Sequence, residues 1–313
     1  MPQAVFILGW GRSGTTWINN LIQQHSNVAT VIEPGRGTFE SAYFSEVSGR
    51  YGDLKEITNF IELCAVLAQS AYFRQAGVTL EQMVQKYPAD YGELFQKVMD
   101  EFAINQGCQV WTEKTPSHTL YAEEISTAVP DALFVSIERE ARDVIRSRMA
   151  IIEALRRKGK VKVSRLSMGI KTAQWVLTWQ HYLNRIERLD RRLPGRLLRV
   201  RYEELQGDTE AEMRRICEFL GLDFESAMLH PPFRRNSIFA RKNGVAKEDL
   251  PAWPFGTWFS FWQGFAKLLP AFLLSGMVRV GQALENGFGR RSLSFFFFRG
   301  LEGAPDWMNE KTW

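Results

Sequence analysis

Residues 5–17 read VFILGWGRSGTTW, an apolar run followed by three glycines and four side-chain donors, Arg12, Ser13, Thr15 and Thr16. The chemistry this arrangement suits is anion binding. After a strand, Gly9, Gly11 and Gly14 let the chain turn tightly, so successive N–H groups point at one place and the following helix adds its positive end. Arg12 contributes a planar, permanently charged fork. Gly9 and Gly14 have the spacing of the triphosphatase loop G-x-x-x-x-G-K-S/T, yet Thr15 stands where the lysine belongs. That lysine ordinarily reaches the β- and γ-phosphates. Its absence argues against ATP or GTP and for a ligand with fewer phosphates at this point. A turn that merely joins strand to helix is the competing reading, and four donors within five residues weigh against it.

The stretch GRSGTTW resembles the 5′-phosphosulfate loop of the sulfotransferases that use 3′-phosphoadenosine 5′-phosphosulfate (PAPS), with Gly11 where a proline is usual. The resemblance implies that Arg12, Ser13, Gly14, Thr15 and Thr16 hold the 5′ end of that donor. It also implies a second element, a strand-end arginine and a helical serine eight residues later that together hold the 3′-phosphate. In FVSIEREARDVIRSR these are Arg139 and Ser147, although the usual Arg-Asp-Pro-Arg start reads Arg-Glu-Ala-Arg here. A charged fork beside a hydroxyl is a physically sensible phosphate site. Further on, LLRVRYEEL and RRICEFLGL resemble the family's strand, tyrosine-acid turn and helix. Carried over, Tyr202 approaches the adenine and Trp17 stacks on it, an interaction of roughly 1–3 kcal/mol per base. RRNSIFARKNG resembles the late basic loop that returns over the donor, which makes Ser237, Arg241 and Lys242 further candidates. The resemblance is continuous in order from Val5 to about Trp253.

Sulfuryl transfer to a hydroxyl or amine resembles phosphoryl transfer, an in-line displacement with charge developing on the leaving phosphate. It needs cations on the leaving side and a base on the attacking side, and no metal. Lys114 in WTEKTPSH resembles the family lysine at the sulfuryl group, and it joins Arg12 in stabilising the leaving group. Where the cytosolic small-molecule branch has its histidine base, this chain has Pro116, which takes no proton. Two candidates remain. His118 could swing in from four residues past Lys114. Glu33 resembles the glutamate base of the tyrosylprotein and several bacterial carbohydrate-directed branches, and it is the favoured choice. The acceptor is open among small molecules, glycans and peptides. The rival readings are a P-loop kinase and a non-catalytic nucleotide-binding, membrane-associated protein.

These residues need elements to carry them. Strands are expected at Val5–Leu8, Gln109–Thr112, Ala132–Glu138 and Leu197–Tyr202, and helices after Gly14, Ala141 and Thr209, a βαβ alternation that implies a parallel sheet flanked by helices. In 210–221 Met213, Ile216, Cys217 and Leu220 fall on one helical face and Gly221 supplies a stop. Between Thr38 and Gly107 the pattern stays helical, an insertion that either caps the ligand-binding edge or packs as an appendage. The expected division is therefore a sulfotransferase-like domain over 1–254, with a helical cap over about 38–107, and an aromatic-rich extension over 255–313.

Composition sets the outer bounds. A chain of 313 residues, 45% hydrophobic and 24% charged, suits one large α/β domain or two small ones, and a net charge of +4 favours an anionic ligand without demanding nucleic acid. Cys64, Cys108 and Cys217 are scattered and lack metal spacing, so reduced thiols in a cytoplasmic protein are expected. His25, His118, His181 and His230 are too dispersed for a metal site. A strand beginning by Val5 leaves no room for a signal peptide before it. Arg156, Arg157, Lys158, Lys160, Lys162 and Arg165 form a basic stretch that suits either an anionic acceptor or solvent.

The tail has a different composition. FGTWFSFWQGFAKLLPAFLLSGMV carries Lys267 as its only charge, and Phe295 to Phe298 follow between Arg290, Arg291 and Arg299. A spanning helix needs roughly 20 uninterrupted apolar residues, and Lys267 with Pro270 interrupts this run. Burial or packing between two copies is favoured for the tail over peripheral contact with anionic lipid.

Overall fold

The computed structural model describes residues 1–33, 37–159, 161–162, 164–232 and 257–288. Its centre is a parallel sheet of five strands: β1 (Gln3–Leu8), β2 (Val28–Thr30), β5 (Val110–Glu113), β6 (Leu133–Glu138) and β7 (Leu197–Arg201), in the order β2-β5-β1-β6-β7. Val5 lies opposite Thr112 on one side and Leu133 on the other. Both faces of β1 are covered, which is why Ala4 to Leu8 are buried without alternation. The four expected strands are present, each within two residues of its expected bounds. What the sequence did not announce is β2, three residues long, and the small antiparallel hairpin of β3 (Ile32–Glu33) and β4 (Gly37–Thr38) that follows it.

One face of the sheet carries α1 (Thr15–Ile22) and α10 (Thr209–Leu220), which follows the short α9 (Tyr202–Gly207). Ile18 and Leu21 meet Met213, Ile216, Cys217 and Leu220 there, the stripe the spacing predicted. The other face is covered by the helical block α2 (Ile57–Gln69), α3 (Ala71–Gln75), α4 (Leu80–Val84) and α5 (Tyr91–Asn105), together with α6 (Ala122–Ala128). Phe6 packs edge-on against Trp111 and Phe44, with centroids 5.5 Å and 5.9 Å apart. Most of the block therefore lies flat on the sheet. Only its leading segment reaches the carboxyl edge, where residues 41–45 meet residues 113–118.

A third cluster joins α7 (Ala141–Arg157) and α8 (Arg165–Arg192) to two late helices, α11 (Thr257–Leu268) and α12 (Ala271–Phe288). Phe259, Ala266, Leu274 and Val278 anchor these late helices, and Pro270 separates them. Their outer faces stay in solvent, with Leu268 84% and Phe272 74% exposed beside Phe261 and Val280. Among the described residues no helix is long and apolar enough to cross a membrane.

Candidate functional site

Because all five strands are parallel, their carboxyl ends share one edge, and the chain leaves β1 for one side of the sheet and later returns on the other. The crevice at such a reversal is where open α/β sheets hold ligands. Residues 9–14 turn there. Gly9 has φ of +145° and a Cβ on it would stand 2.6 Å from the Ile137 carbonyl; Gly14 has φ of +108° and its Cβ would strike the Tyr202 ring at 2.6 Å. Neither position admits a side chain. Arg12 itself is held at φ of +81°, a left-handed conformation that is uncommon outside glycine and collects at functional loops. Gly14 begins α1 with no side chain capping the first turn, so the positive helix end faces the loop.

Five of the residues singled out from sequence converge at this turn. Arg12 Nε donates to Ser147 Oγ at 3.0 Å, and Arg139 Nη1 donates to the Arg12 carbonyl at 3.3 Å. The Arg139 guanidinium lies over the Tyr202 ring, 4.0 Å from its centre, and Trp17 meets Tyr202 edge-on at 5.3 Å. Arg12 thus joins the pair Arg139 and Ser147, touching the serine through its side chain and the arginine through its carbonyl. Among the described residues no carboxylate pairs with either, and Arg139 Nε is buried without a hydrogen-bond partner. Burial, and then the charge of Arg139 beside it, pulls the Arg12 guanidinium below its ordinary value, with Tyr202 opposing. Two unpaired cations, an orphaned donor and an uncapped helix end are what an anion with more than one phosphate would complete. Ser237, Arg241 and Lys242 lie outside the described residues.

On the other side of β1 the end of β5 carries Lys114, buried to 1% exposure and ion-paired with Glu40, which is 43% exposed. Its neighbours are satisfied in full. Glu113 Oε1 accepts from the Thr115 hydroxyl at 2.6 Å, the Ser41 hydroxyl at 2.8 Å and the Ser41 N–H at 3.2 Å. Glu113 Oε2 lies 2.7 Å from His118 Nδ1. Burial alone would raise this carboxyl, but the His118 ring and the two hydroxyls outweigh it and hold Glu113 below the usual glutamate range. The Phe44 N–H donates to His118 Nε2 at 3.1 Å, which fixes the tautomer with its proton on Nδ1.

His118 is therefore not a ring free to swing into the site. It is wholly buried, and both of its nitrogens are engaged, so it has no lone pair to offer an acceptor. Glu33 lies half-buried on β3, opposite Gly37 of β4. That hairpin is tied to α1: Asn20 Oδ1 accepts from the Thr38 N–H and hydroxyl at 3.2 Å and 2.8 Å, and Asn19 donates to Thr38 Oγ1 at 3.0 Å. Sequence reasoning missed Glu40, Ser41, Glu113 and Thr115. It also missed Arg148, whose guanidinium lies 3.9 Å from the Trp10 ring centre and donates to the Gly11 carbonyl at 3.4 Å. The only signal for Arg148 was its place next to Ser147; nothing in the sequence announced that residues 40–45 would meet 113–118.

A family model described as the sulfotransferase family matches residues 2–226. A relative named a putative protein-tyrosine sulfotransferase, from Caenorhabditis briggsae, is 25% identical over 232 residues, covering 73% of this chain and 69% of its own. The fold is similar to a sulfotransferase domain from the curacin biosynthetic pathway, with a TM-score of 0.52 at 14% identity, over 86% of this chain and 99% of that one. A sulfotransferase domain of the Synechococcus PCC 7002 olefin synthase has a TM-score of 0.49 at 18% identity, over 86% of this chain and 96% of that one.

Proposed function

We propose that this chain, which belongs to the sulfotransferase family, moves a sulfuryl group from PAPS to a hydroxyl or amine acceptor. The observation that carries this reading is the juxtaposition of Arg12 and Arg139, two cations that no carboxylate pairs among the described residues, at the carboxyl edge of β1 and β6. The residues present fit the donor. Arg12, Ser13, Gly14, Thr15 and Thr16 would hold its 5′ end, Arg139 and Ser147 its 3′-phosphate, and Trp17 and Tyr202 its purine. Bound there, PAPS supplies an activated sulfuryl group and a leaving bisphosphate.

The chain's own residues do the rest. Glu33 accepts the acceptor's proton on the attacking side, and Lys114 and Arg12 take up negative charge on the leaving side, in keeping with an in-line displacement. His118, with no free nitrogen, supports Lys114's surroundings rather than the proton transfer. The acceptor is a small molecule, a glycan or a peptide; the relative named a putative protein-tyrosine sulfotransferase favours trying tyrosine peptides first. Packing of the exposed outer faces of α11 and α12 against a second copy belongs to the same proposal. Contact with anionic lipid through Lys267 and Arg279 is the rival, and flotation with phosphatidylserine vesicles separates the two.

Incubation with sulfur-labelled PAPS and a panel of tyrosine peptides, sugars, phenols and amines tests the reading. Label is expected on one acceptor class, with 3′,5′-bisphosphate released in equal amount. ATP consumption with magnesium, and no label transfer from PAPS, would instead support the kinase reading.

A further inference from the structure

The carboxyl end of β5 and the segment 40–45 are far apart in sequence, yet they are bound into one unit around Lys114. Glu113 takes three hydrogen bonds from Ser41 and Thr115 and a fourth from His118. The Ala42 N–H donates to Thr115 Oγ1 at 3.2 Å, the Phe44 N–H to His118 Nε2 at 3.1 Å, and the Ser45 and Ser117 hydroxyls lie 2.9 Å apart. Apart from the Thr115 and His118 bonds to Glu113, each joins the 113–118 segment that carries Lys114 to the 41–45 segment that follows its ion-pair partner Glu40. Glu113 and Thr115 flank the lysine, and Ser41 follows Glu40 directly.

A lysine side chain has four rotatable carbons and rarely stays in one place unaided. Lys114 stays because both ends of its contact are fixed. Its backbone is pinned between Glu113 and Thr115, and Glu40 is presented by a loop whose turn at Ala42 runs through a left-handed φ of +51°. Such a turn persists only where its surroundings hold it, and here the holding groups are the Glu113 carboxylate, the Thr115 hydroxyl and the His118 ring. A merely stabilising buried network would have no reason to enclose the one lysine on the ligand edge of β5.

We propose that Glu113 and His118, with Thr115, are positioning residues: they act through the 40–45 segment to set the Lys114 ammonium where it meets the sulfonate of the donor. The inference rests on the reading of Lys114 as the sulfuryl-side cation. It makes Glu113 a residue whose effect on the donor exists only while Lys114 is present.

The test is a double-mutant cycle on a binding ratio, the affinity for PAPS divided by that for adenosine 3′,5′-bisphosphate, measured by calorimetry on the full chain. Lys114→Ala lowers this ratio about tenfold or more, because a charge-assisted bond to the sulfonate is lost. Glu113→Gln lowers it several-fold in the natural background and leaves it unchanged in the Lys114→Ala background. If Glu113→Gln does not fold, Thr115→Val removes the linking hydroxyl at equal volume, and Thr115→Ser restores the ratio. A network that only stabilises would lower the melting temperature and leave the ratio alone, and that result overturns the proposal. An equal fall in both backgrounds overturns it too. Should Lys114→Ala leave the ratio intact while the bisphosphate still binds, the lysine's role and its positioning both fall. A chain that binds neither nucleotide overturns the PAPS reading itself, and the positioning claim with it.

Discussion

Two cation sites face each other across β1, and they are built on opposite terms. Around Lys114 each charge is matched: the lysine by Glu40, and Glu113 by His118, Thr115 and Ser41. Around Arg12 and Arg139 the guanidiniums rest on a carbonyl, a hydroxyl and an aromatic face, and among the described residues no carboxylate reaches them. Burying like charges together without a counter-ion is costly. The molecule tolerates it on one side only, and that is the side with the strained Arg12 turn and the uncapped helix. The difference fits the proposed reading, in which an anionic ligand completes the β6 side and the already paired β5 side holds Lys114 in position.

The largest effect that sharpens this contrast is on the rate. Glu33→Gln is expected to slow transfer by about 10²–10⁴ while leaving donor affinity intact, because the amide keeps the shape and cannot accept a proton. Steady-state rates beside calorimetry on the same protein check it; a parallel loss of donor affinity would mean that the β3–β4 hairpin belongs to the donor side.

Stability comes next. Glu113→Ala leaves His118, two hydroxyls and the Ser41 N–H without their acceptor and is expected to cost about 3 kcal/mol or more, at about 1–3 kcal/mol for each buried donor left unsatisfied. Arg139→Ala gives up a stacking contact and relieves a repulsion, so its cost stays within about 1 kcal/mol. Urea unfolding of the two variants compares them directly. Equal losses would break the distinction between a completed and an incomplete site.

The smallest effect is in the response to acid. Glu113 has a folded pKa below its unfolded one, so its stabilisation is present above the ordinary glutamate range and is lost as pH falls through the folded value. Glu113→Gln should flatten that low-pH limb of the melting curve, and Arg139→Ala should keep it. A separate window belongs to His181 on α8, which burial and then Arg185, Arg188 and Arg279 lower to about 4. Its contribution is complete above pH 6.5 and declines as pH falls towards 4, since the unfolded chain takes the proton first. His181→Gln should remove that decline, read as melting temperature against pH.

Much of the β6 side was legible because it is written locally. Gly9, Arg12 and Gly14 follow a strand within six residues, Arg139 and Ser147 lie on one strand-helix junction, and Tyr202 directly follows another strand. The bond from the Arg12 side chain to Ser147 on α7 was not legible, because residues 12 and 147 are brought together only by the fold. The β5 side was legible only at Lys114. Its partners depend on a loop near residue 41 returning to a strand end near residue 113, a contact between segments some 70 positions apart that no local pattern encodes. His118 showed the limit most sharply. Its type and its distance from Lys114 suit a base, and only the Phe44 N–H and Glu113 reveal that its nitrogens are taken. β2 escaped notice because three residues are too few for a period to register.

The central claim, that the paired arginines await a nucleotide bearing a 3′-phosphate, is tested most directly by calorimetry of adenosine 3′,5′-bisphosphate against AMP, with the natural chain and with Arg139→Ala. The bisphosphate is expected to bind at least about tenfold tighter to the natural chain, through one or more charge-assisted bonds, and Arg139→Ala is expected to bring the two nucleotides level. Equal affinity in the natural chain, or a preference that survives the loss of Arg139, would contradict it.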